Sequence, residues 1–424
     1  MKAPFFWDAY SDQPGQLKDR AYKKTMRRAQ SRSLLKTALS ALWLLPAFLA
    51  LPFLRTRDIA SETFVGLGVD PLRAPDKTLE AIERLGVEEI LIRIALWEPD
   101  RLDDIATFVK RLGRRRVFFV LMQDREHVED ARLRERALRR CFEALAPLGT
   151  RFQIGTTINR AKWGFFSVGE YLDFFQTAQK LRDAEFPGIE LIGPGVIDFE
   201  YHYAAHALFN AKGVRFDAVS ALLYVDRRGA PENTQAGCDL VCKTNLLAAL
   251  AALSPRAKFP LYFTETNWPL TGTAPYAPTS EKECIDEEAH ASYLVRYYLL
   301  TLATRQVRTV YWHQLAAPGY GLVDTRDGWR ERPAFAAMRT LIEQTGQARY
   351  LTLHEKRGVY EMFLEKPEGI LHILWCNGTR RTRRFPETVT WTDRDGRHVS
   401  GSELPVSDAP VYRLERTHPN EKES

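Results

Sequence analysis

Pro260-Leu261-Tyr262-Phe263-Thr264-Glu265-Thr266-Asn267-Trp268-Pro269 is the stretch that decides the fold of this chain. Its first half is apolar and aromatic, as a strand buried in a sheet requires, and it stops on a carboxylate followed at once by turn residues. Such a strand sets Glu265 at the rim of a sheet, either as an acid with a chemical task or as a structural acid paired with an arginine. In a (β/α)8 barrel the rim at the C-terminal ends of the strands is where chemistry sits.

Seven further strand-then-helix units surround this one. Strands are read at Phe64–Val69, Glu89–Trp97, Val117–Met122, Arg151–Thr156, Ile189–Ile192, Ala218–Tyr224 and Val307–His313, each followed by a segment of helical periodicity. Eight alternations of apolar, parallel-type strands with helices predict a (β/α)8 barrel over residues 60–348 rather than a doubly wound sheet. Beyond Arg349 the period shortens to alternating strands at Val359–Leu364, Ile370–Trp375, Val389–Thr392 and Val411–Leu414. Lys366–Gly369 and Asp393–Gly396 supply the turns between them. Residues 349–416 are therefore expected to form a small antiparallel β-domain, with 417–424 a frayed tail.

The overall charge of +6 is unevenly placed. Residues 1–57 hold eleven Lys/Arg against three Asp, a surplus of +8, so residues 58–424 sum to −2. The barrel and β-domain thus carry no basic footprint for nucleic acid. The basic residues precede Thr37–Leu54, eighteen residues without a charge; with Leu34 and Leu35 the apolar run is long enough to cross a bilayer. Pro46 and Pro52 are tolerable in a membrane helix. A long basic region and no small-residue cleavage site distinguish it from a secretory signal peptide. The expectation is a signal anchor at 34–54 in a bacterial inner membrane, with the basic tail 1–33 in the cytoplasm and the barrel in the periplasm.

Five cysteines, Cys141, Cys238, Cys242, Cys284 and Cys376, permit a bridge without demanding one. Cys284 with Cys238 or Cys242 is the expected pair, since the loops after strands six and seven are neighbours. Cys238 and Cys242 lack CxxC spacing and a His pair, so no metal is expected. His202 and His206, four apart on a helix, are read as facing solvent. No cofactor is called for.

The strand ends gather Trp97, Asn159, Lys162, Trp163, Tyr224, Glu265, Asn267, Trp268, Trp312 and Gln314 at one rim, with Arg93 inside strand two as a cation beneath Glu265. Indole rings stack on sugar faces, amides and charged groups bind hydroxyls, and a carboxylate can attack an anomeric carbon. These residues resemble the retaining glycoside hydrolases of the barrel superfamily whose acid/base ends strand four and whose nucleophile ends strand seven. Thr264-Glu265-Thr266-Asn267-Trp268-Pro269 is similar to the nucleophile strand of that group. The resemblance implies Glu265 as nucleophile, Tyr224 as its strand-six contact and Trp312 as the floor of the sugar site. The trailing β-domain is similar to the accessory sandwich of several members.

Strand four departs from that pattern. The group ends it with Gly-Asn-Glu-Pro or close to it, whereas this chain reads Gly155-Thr156-Thr157-Ile158-Asn159, with no Asp or Glu between Thr150 and Gly169. Threonine cannot protonate a leaving oxygen at neutral pH. Glu200 and Asp226, in the loops after strands five and six, are the candidate replacements; each reads equally well as a salt-bridge or capping residue. Two functions follow as expectations. One is a membrane-anchored retaining hydrolase or transglycosidase acting on a cell-envelope polysaccharide. The alternative is a barrel of the same fold that binds envelope carbohydrate without turnover.

Overall fold

The computed structural model describes residues 5–416. Eight parallel strands close into a barrel: β1 (Val65–Val69), β2 (Glu89–Ala95), β3 (Arg116–Met122), β4 (Arg151–Ile154), β5 (Glu190–Ile197), β6 (Ala218–Leu222), β7 (Leu261–Thr266) and β8 (Val307–Trp312). Closure is made where β8 pairs with β1, Val310 opposite Val65 and Trp312 opposite Leu67. A helix follows every strand and covers the outside, as a parallel sheet with no exposed face requires.

Side chains fill the barrel interior. Leu91, Phe118, Ile192, Ala218, Tyr262 and Tyr311 form one buried cluster. The Phe118 ring lies 5.1 Å from that of Tyr262 and 5.3 Å from that of Tyr311. Beneath it Glu89 is fully buried. Its carboxylate accepts from Arg116 Nε at 2.8 Å and from the Tyr311 hydroxyl at 2.8 Å, and it pairs with Arg151 Nη2 at 2.8 Å. Several donors around one buried carboxylate meet the condition under which burying a charge is tolerated. They close the N-terminal end of the barrel, so the open end is the one that carries Glu265.

The fifth strand runs past Gly193-Pro194-Gly195 instead of stopping at Ile192. The ladder to β6 shifts between Pro194 and Val196, and Gly195 adopts φ +63°, which a glycine allows at little cost. In the C-terminal domain six strands form one antiparallel sheet where four were read. They are β9 (Arg349–Lys356), β10 (Val359–Lys366), β11 (Gly369–Cys376), β12 (Arg381–Thr392), β13 (His398–Val406) and β14 (Val411–Arg416), in the order β9-β10-β11-β14-β12-β13. The two additional strands, β9 and β13, lie at the sheet edges and are largely exposed, so their sequences lack the apolar alternation of a half-buried strand. The tail expected at 417–424 lies outside the described residues.

At the other end, Trp7–Asp8 and Gln13–Pro14 pair as a short hairpin. A helix at Arg20–Ala29 follows, capped by Asp19, whose Oδ1 accepts from the Tyr22 N–H at 2.8 Å. Next comes an apolar helix over Ser31–Phe53 with mean hydropathy 1.8, long enough to cross a membrane. Only 11% of its most apolar window is buried. A narrow stripe lies against the barrel's helices: Trp43 stacks on Phe209 at 3.9 Å, and the Thr37 hydroxyl meets His206 Nδ1 at 2.8 Å. Leu42, Leu45, Leu49 and Phe53 point outward and are exposed. His206 therefore does not face solvent. Burial, with Lys36 and Lys212 nearby, pushes it down to about 4.

Cys238 and Cys242 pair with each other, Cα atoms 5.1 Å apart, while Cys284 is free. Asp239 caps the helix Leu240–Leu253, accepting from the Cys242 N–H at 2.7 Å. That cap folds Cys238 back over the first turn and brings it to Cys242 before it can reach the next loop.

Candidate active site

Glu265 leaves β7 at a bulge. Val310 pairs with Phe263 and Trp312 with Thr266, so Thr264 and Glu265 together face a single step of β8. The extra residue breaks the in-and-out alternation of the strand. Thr264 donates to Gln153 Oε1 inside the barrel at 2.8 Å, and its neighbour Glu265 turns to the mouth as well.

The Tyr224 hydroxyl donates to Glu265 Oε1 at 2.6 Å. Tyr224 is buried, and burial first and the Glu265 charge second hold its phenol well above the usual range, so it stays a donor. The Arg228 guanidinium lies 3.5 Å over the Tyr224 ring and also donates to the Asn267 carbonyl at 3.2 Å. On the other side Arg93 Nη1 stands 3.9 Å from Glu265 Oε2 and 3.1 Å from His313 Nε2. Arginine can only donate, so His313 Nε2 accepts and the ring is neutral. Burial, reinforced by the Arg93 charge, pushes His313 down to about 3. Asn267 donates to the His313 carbonyl at 2.6 Å, while its buried Oδ1 has no partner.

A cavity of about 420 Å³ opens over these groups, lined by Arg93, Asn159, Lys162, Trp163, Tyr224, Glu265 and Asn267. Trp97 and Gln314 line an adjoining cavity of about 360 Å³ that also reaches Arg93. The loop after β4 is pinned by Gln123 at the end of β3. Its amide donates to the carbonyls of Thr156 and Trp163 at 3.0 and 2.8 Å and accepts from the Thr156 N–H at 3.0 Å. Thr157, at φ +51°, lines the larger cavity. Burial lowers the Lys162 ammonium, with Glu265 opposing that shift. Among the described residues no three His, Cys, Asp or Glu side chains gather as a metal site.

Four residues read at the rim do not reach the cavity wall. Tyr311 faces the barrel interior, so the next residue of β8, Trp312, faces the helices. It is fully buried and stacks on Trp268 at 5.8 Å. Trp268 is equally buried, its indole N–H donating to the Gly229 carbonyl at 3.0 Å. These two rings brace the wall from behind and do not floor a sugar site. Glu200 lies one side chain back, one oxygen accepting from Asn159 Nδ2 at 2.8 Å and the other from Arg160 Nη1 at 2.8 Å. Asp226 opens a single turn over Asp226–Arg228, and that turn delivers Arg228 to the mouth in its place.

The N-terminal hairpin, unread in the sequence, sits on the mouth. The Asp12 carboxylate pairs with Arg93 Nη2 at 3.3 Å and accepts from Gln314 Nε2 at 3.3 Å. Gln13 Oε1 accepts from Lys162 Nζ at 2.6 Å, and the Trp7 ring packs 5.4 Å from Trp97 and 5.9 Å from Trp163. The signals were local: Asp8 placed to hold a turn, Pro14-Gly15 to end it, and four aromatic residues among Phe5–Tyr10.

No protein-family model matches the chain, and no curated protein does. Solved structures do. A family 39 glycoside hydrolase from Bacteroides cellulosilyticus WH2 superposes with a TM-score of 0.64 at 15% identity, over 84% of this chain and 82% of that one. A GH39 β-xylosidase from Caulobacter crescentus gives 0.59 at 12% identity, covering 84% and 97%. A family 51 α-L-arabinofuranosidase from Bifidobacterium longum gives 0.55 at 13% identity, covering 85% and 97%. This chain has the fold of the barrel glycoside hydrolases, an eight-stranded parallel barrel carrying a C-terminal antiparallel sheet.

Proposed function

We propose that the chain is a membrane-anchored glycoside hydrolase or transglycosidase of the retaining type, acting on a cell-envelope polysaccharide, with Glu265 as the nucleophile. The observation that carries this reading is the Tyr224 hydroxyl 2.6 Å from Glu265 Oε1, with Arg93 at the other oxygen, at the mouth of a barrel shared with glycoside hydrolases. A carboxylate so held is fixed in one orientation. Its attack on an anomeric carbon forms a glycosyl ester as the bond to the leaving oxygen breaks, and water or an acceptor hydroxyl then takes the sugar. Asn159, Lys162, Trp163 and Asn267 are the groups proposed to hold the sugar in the larger cavity, with Trp97 and Gln314 serving the smaller one. Residues 34–54 are the proposed anchor in a bacterial inner membrane, with the barrel on the periplasmic side and the β-domain at 349–416 as an accessory unit.

A second reading is favoured by one observation. Among the described residues, Asp12 and Glu265 are the only carboxylates on the wall of the larger cavity, and Asp12 belongs to the hairpin. A barrel without a proton donor would bind glycan without turnover, or use only substrates with good leaving groups, since general acid catalysis contributes about 10²–10⁴ in rate. An activated fluoro-sugar needs no such donor. Incubation with a panel of activated α- and β-fluoro-sugars is expected to add one glycosyl mass to the Glu265 peptide, and Glu265→Gln to abolish it. Glycan binding with no labelling by any member would leave the binding reading.

A further inference from the structure

The hairpin Trp7–Pro14 divides what is otherwise one groove over the barrel mouth. Its turn residue Asp12 touches both cavities, Trp7 touches the smaller one, and Arg93 lies in the wall of each. The hairpin fits the groove as a ligand would. Its indole rests against Trp97 and Trp163, a pair of rings of the kind on which sugar faces stack. Its amide oxygen at Gln13 takes the Lys162 ammonium, and its carboxylate at Asp12 takes the Arg93 guanidinium and the Gln314 amide. Asp12 holds φ +52°, a left-handed conformation that a non-glycine residue adopts at some cost, with the carbonyl accepting from Arg93 Nη2 at 3.1 Å.

Charge decides what else can fill that seat. The barrel's own residues on the larger cavity wall include Arg93, Arg160, Lys162 and Arg228 against the single carboxylate of Glu265. Arg160 is neutralised by Asp198 at 2.6 Å and Glu200 at 2.8 Å. That leaves three cations facing one anion once the hairpin is out, with Arg93 nearly buried. A neutral sugar returns only hydroxyl dipoles to those cations. A planar carboxylate returns the charge and matches the fork of a guanidinium beside an amide N–H. We propose that the Asp12 seat is a carboxylate-binding subsite and that the glycan is acidic, a uronic-acid polymer. One sugar carboxylate would sit on Arg93 and Gln314, and a neighbouring ring on Trp97 and Trp163. This rests on the glycan-handling reading of the same mouth.

The test uses the full chain in detergent with Glu265→Gln, so that nothing turns over, and compares oligogalacturonate with a cello-oligosaccharide of equal length by titration calorimetry. A second protein adds Trp7→Ala and Asp12→Asn to loosen the hairpin. Loosening is expected to strengthen oligogalacturonate binding roughly tenfold or more, the scale of one charge-assisted contact restored, with the neutral oligomer at least tenfold weaker. In the loosened protein Gln314→Leu is expected to weaken the acidic ligand about fivefold or more, and the neutral one by less. Equal binding of both oligomers after loosening, or no effect of Gln314→Leu on the acidic one, would overturn the acidic subsite while leaving the glycan reading in place. Binding of neither would overturn both, and melting temperatures of each variant separate that outcome from misfolding.

Discussion

At the scale of single residues, Glu265 is defined by what holds it. Tyr224 gives its hydroxyl to one oxygen and Arg93 stands at the other. Tyr224→Phe removes one contact and keeps the packing under Arg228. A carboxylate displaced by about 1 Å loses the attack geometry, a loss worth about 10²-fold in rate. The rate of labelling by an activated fluoro-sugar is expected to fall by about that factor while glycan affinity stays within about twofold; unchanged labelling would mean that Tyr224 is packing only. Glu265, Tyr224 and Arg93 were legible because each ends or lies in a strand whose apolar run marks it. Trp312 lies outside the site because the two-residue period that puts its neighbour Tyr311 inside the barrel turns it toward the helices. The bulge that turns Glu265 inward has no sequence mark of its own, since it is a mismatch between two strands rather than a property of either.

Among the elements, the C-terminal sheet is fastened to the barrel by a buried ion pair. Glu232, in the loop after β6, accepts from Arg296 Nε at 2.8 Å on the helix Glu287–Thr304 and from the Trp375 indole N–H at 3.0 Å on β11. Arg296 reaches on to Asn377 Oδ1 at 3.0 Å. The two charged side chains are 1% and 4% exposed. Removing one partner of such a pair strands the other charge away from water, so Glu232→Ala is expected to destabilise the chain by about 3–5 kcal/mol. Replacing both, Glu232→Leu with Arg296→Met, is expected to recover most of that loss in denaturant titrations. A double variant as unstable as the single one would show that the polar network itself, through Trp375 and Asn377, is the fastening. The barrel's alternation of strands and helices was readable because hydrophobic periodicity records burial. The edge strands β9 and β13, this ion pair and the Cys238–Cys242 bridge were not, because each depends on which loop meets which in space.

For the whole molecule, the hairpin and the anchor make incompatible demands. A 23-residue helix spans about 35 Å, enough for a bilayer core of about 30 Å. If Ser31–Phe53 crosses the membrane, residues 5–29 lie on the side opposite the barrel and the hairpin cannot reach Arg93. With the helix laid along the barrel, as Trp43 on Phe209 and Thr37 on His206 hold it, the hairpin reaches the mouth and the outward Leu42, Leu45, Leu49 and Phe53 are left in water. Burial of those side chains in lipid favours insertion by roughly 1.5–3 kcal/mol each, set against the half-buried contacts that the hairpin makes with Arg93, Gln314, Lys162, Trp97 and Trp163. The membrane-inserted chain is therefore expected to have an open mouth. A cysteine placed at the exposed Tyr10, with Cys284→Ser, checks this in intact cells. An impermeant maleimide outside the membrane should leave position 10 unmodified until the cells are broken, while a reporter fused after Ser424 is active outside. Labelling of position 10 in intact cells together with that reporter would put the hairpin and the barrel on one side. The helix would then lie on the membrane surface and the mouth would stay filled by Asp12.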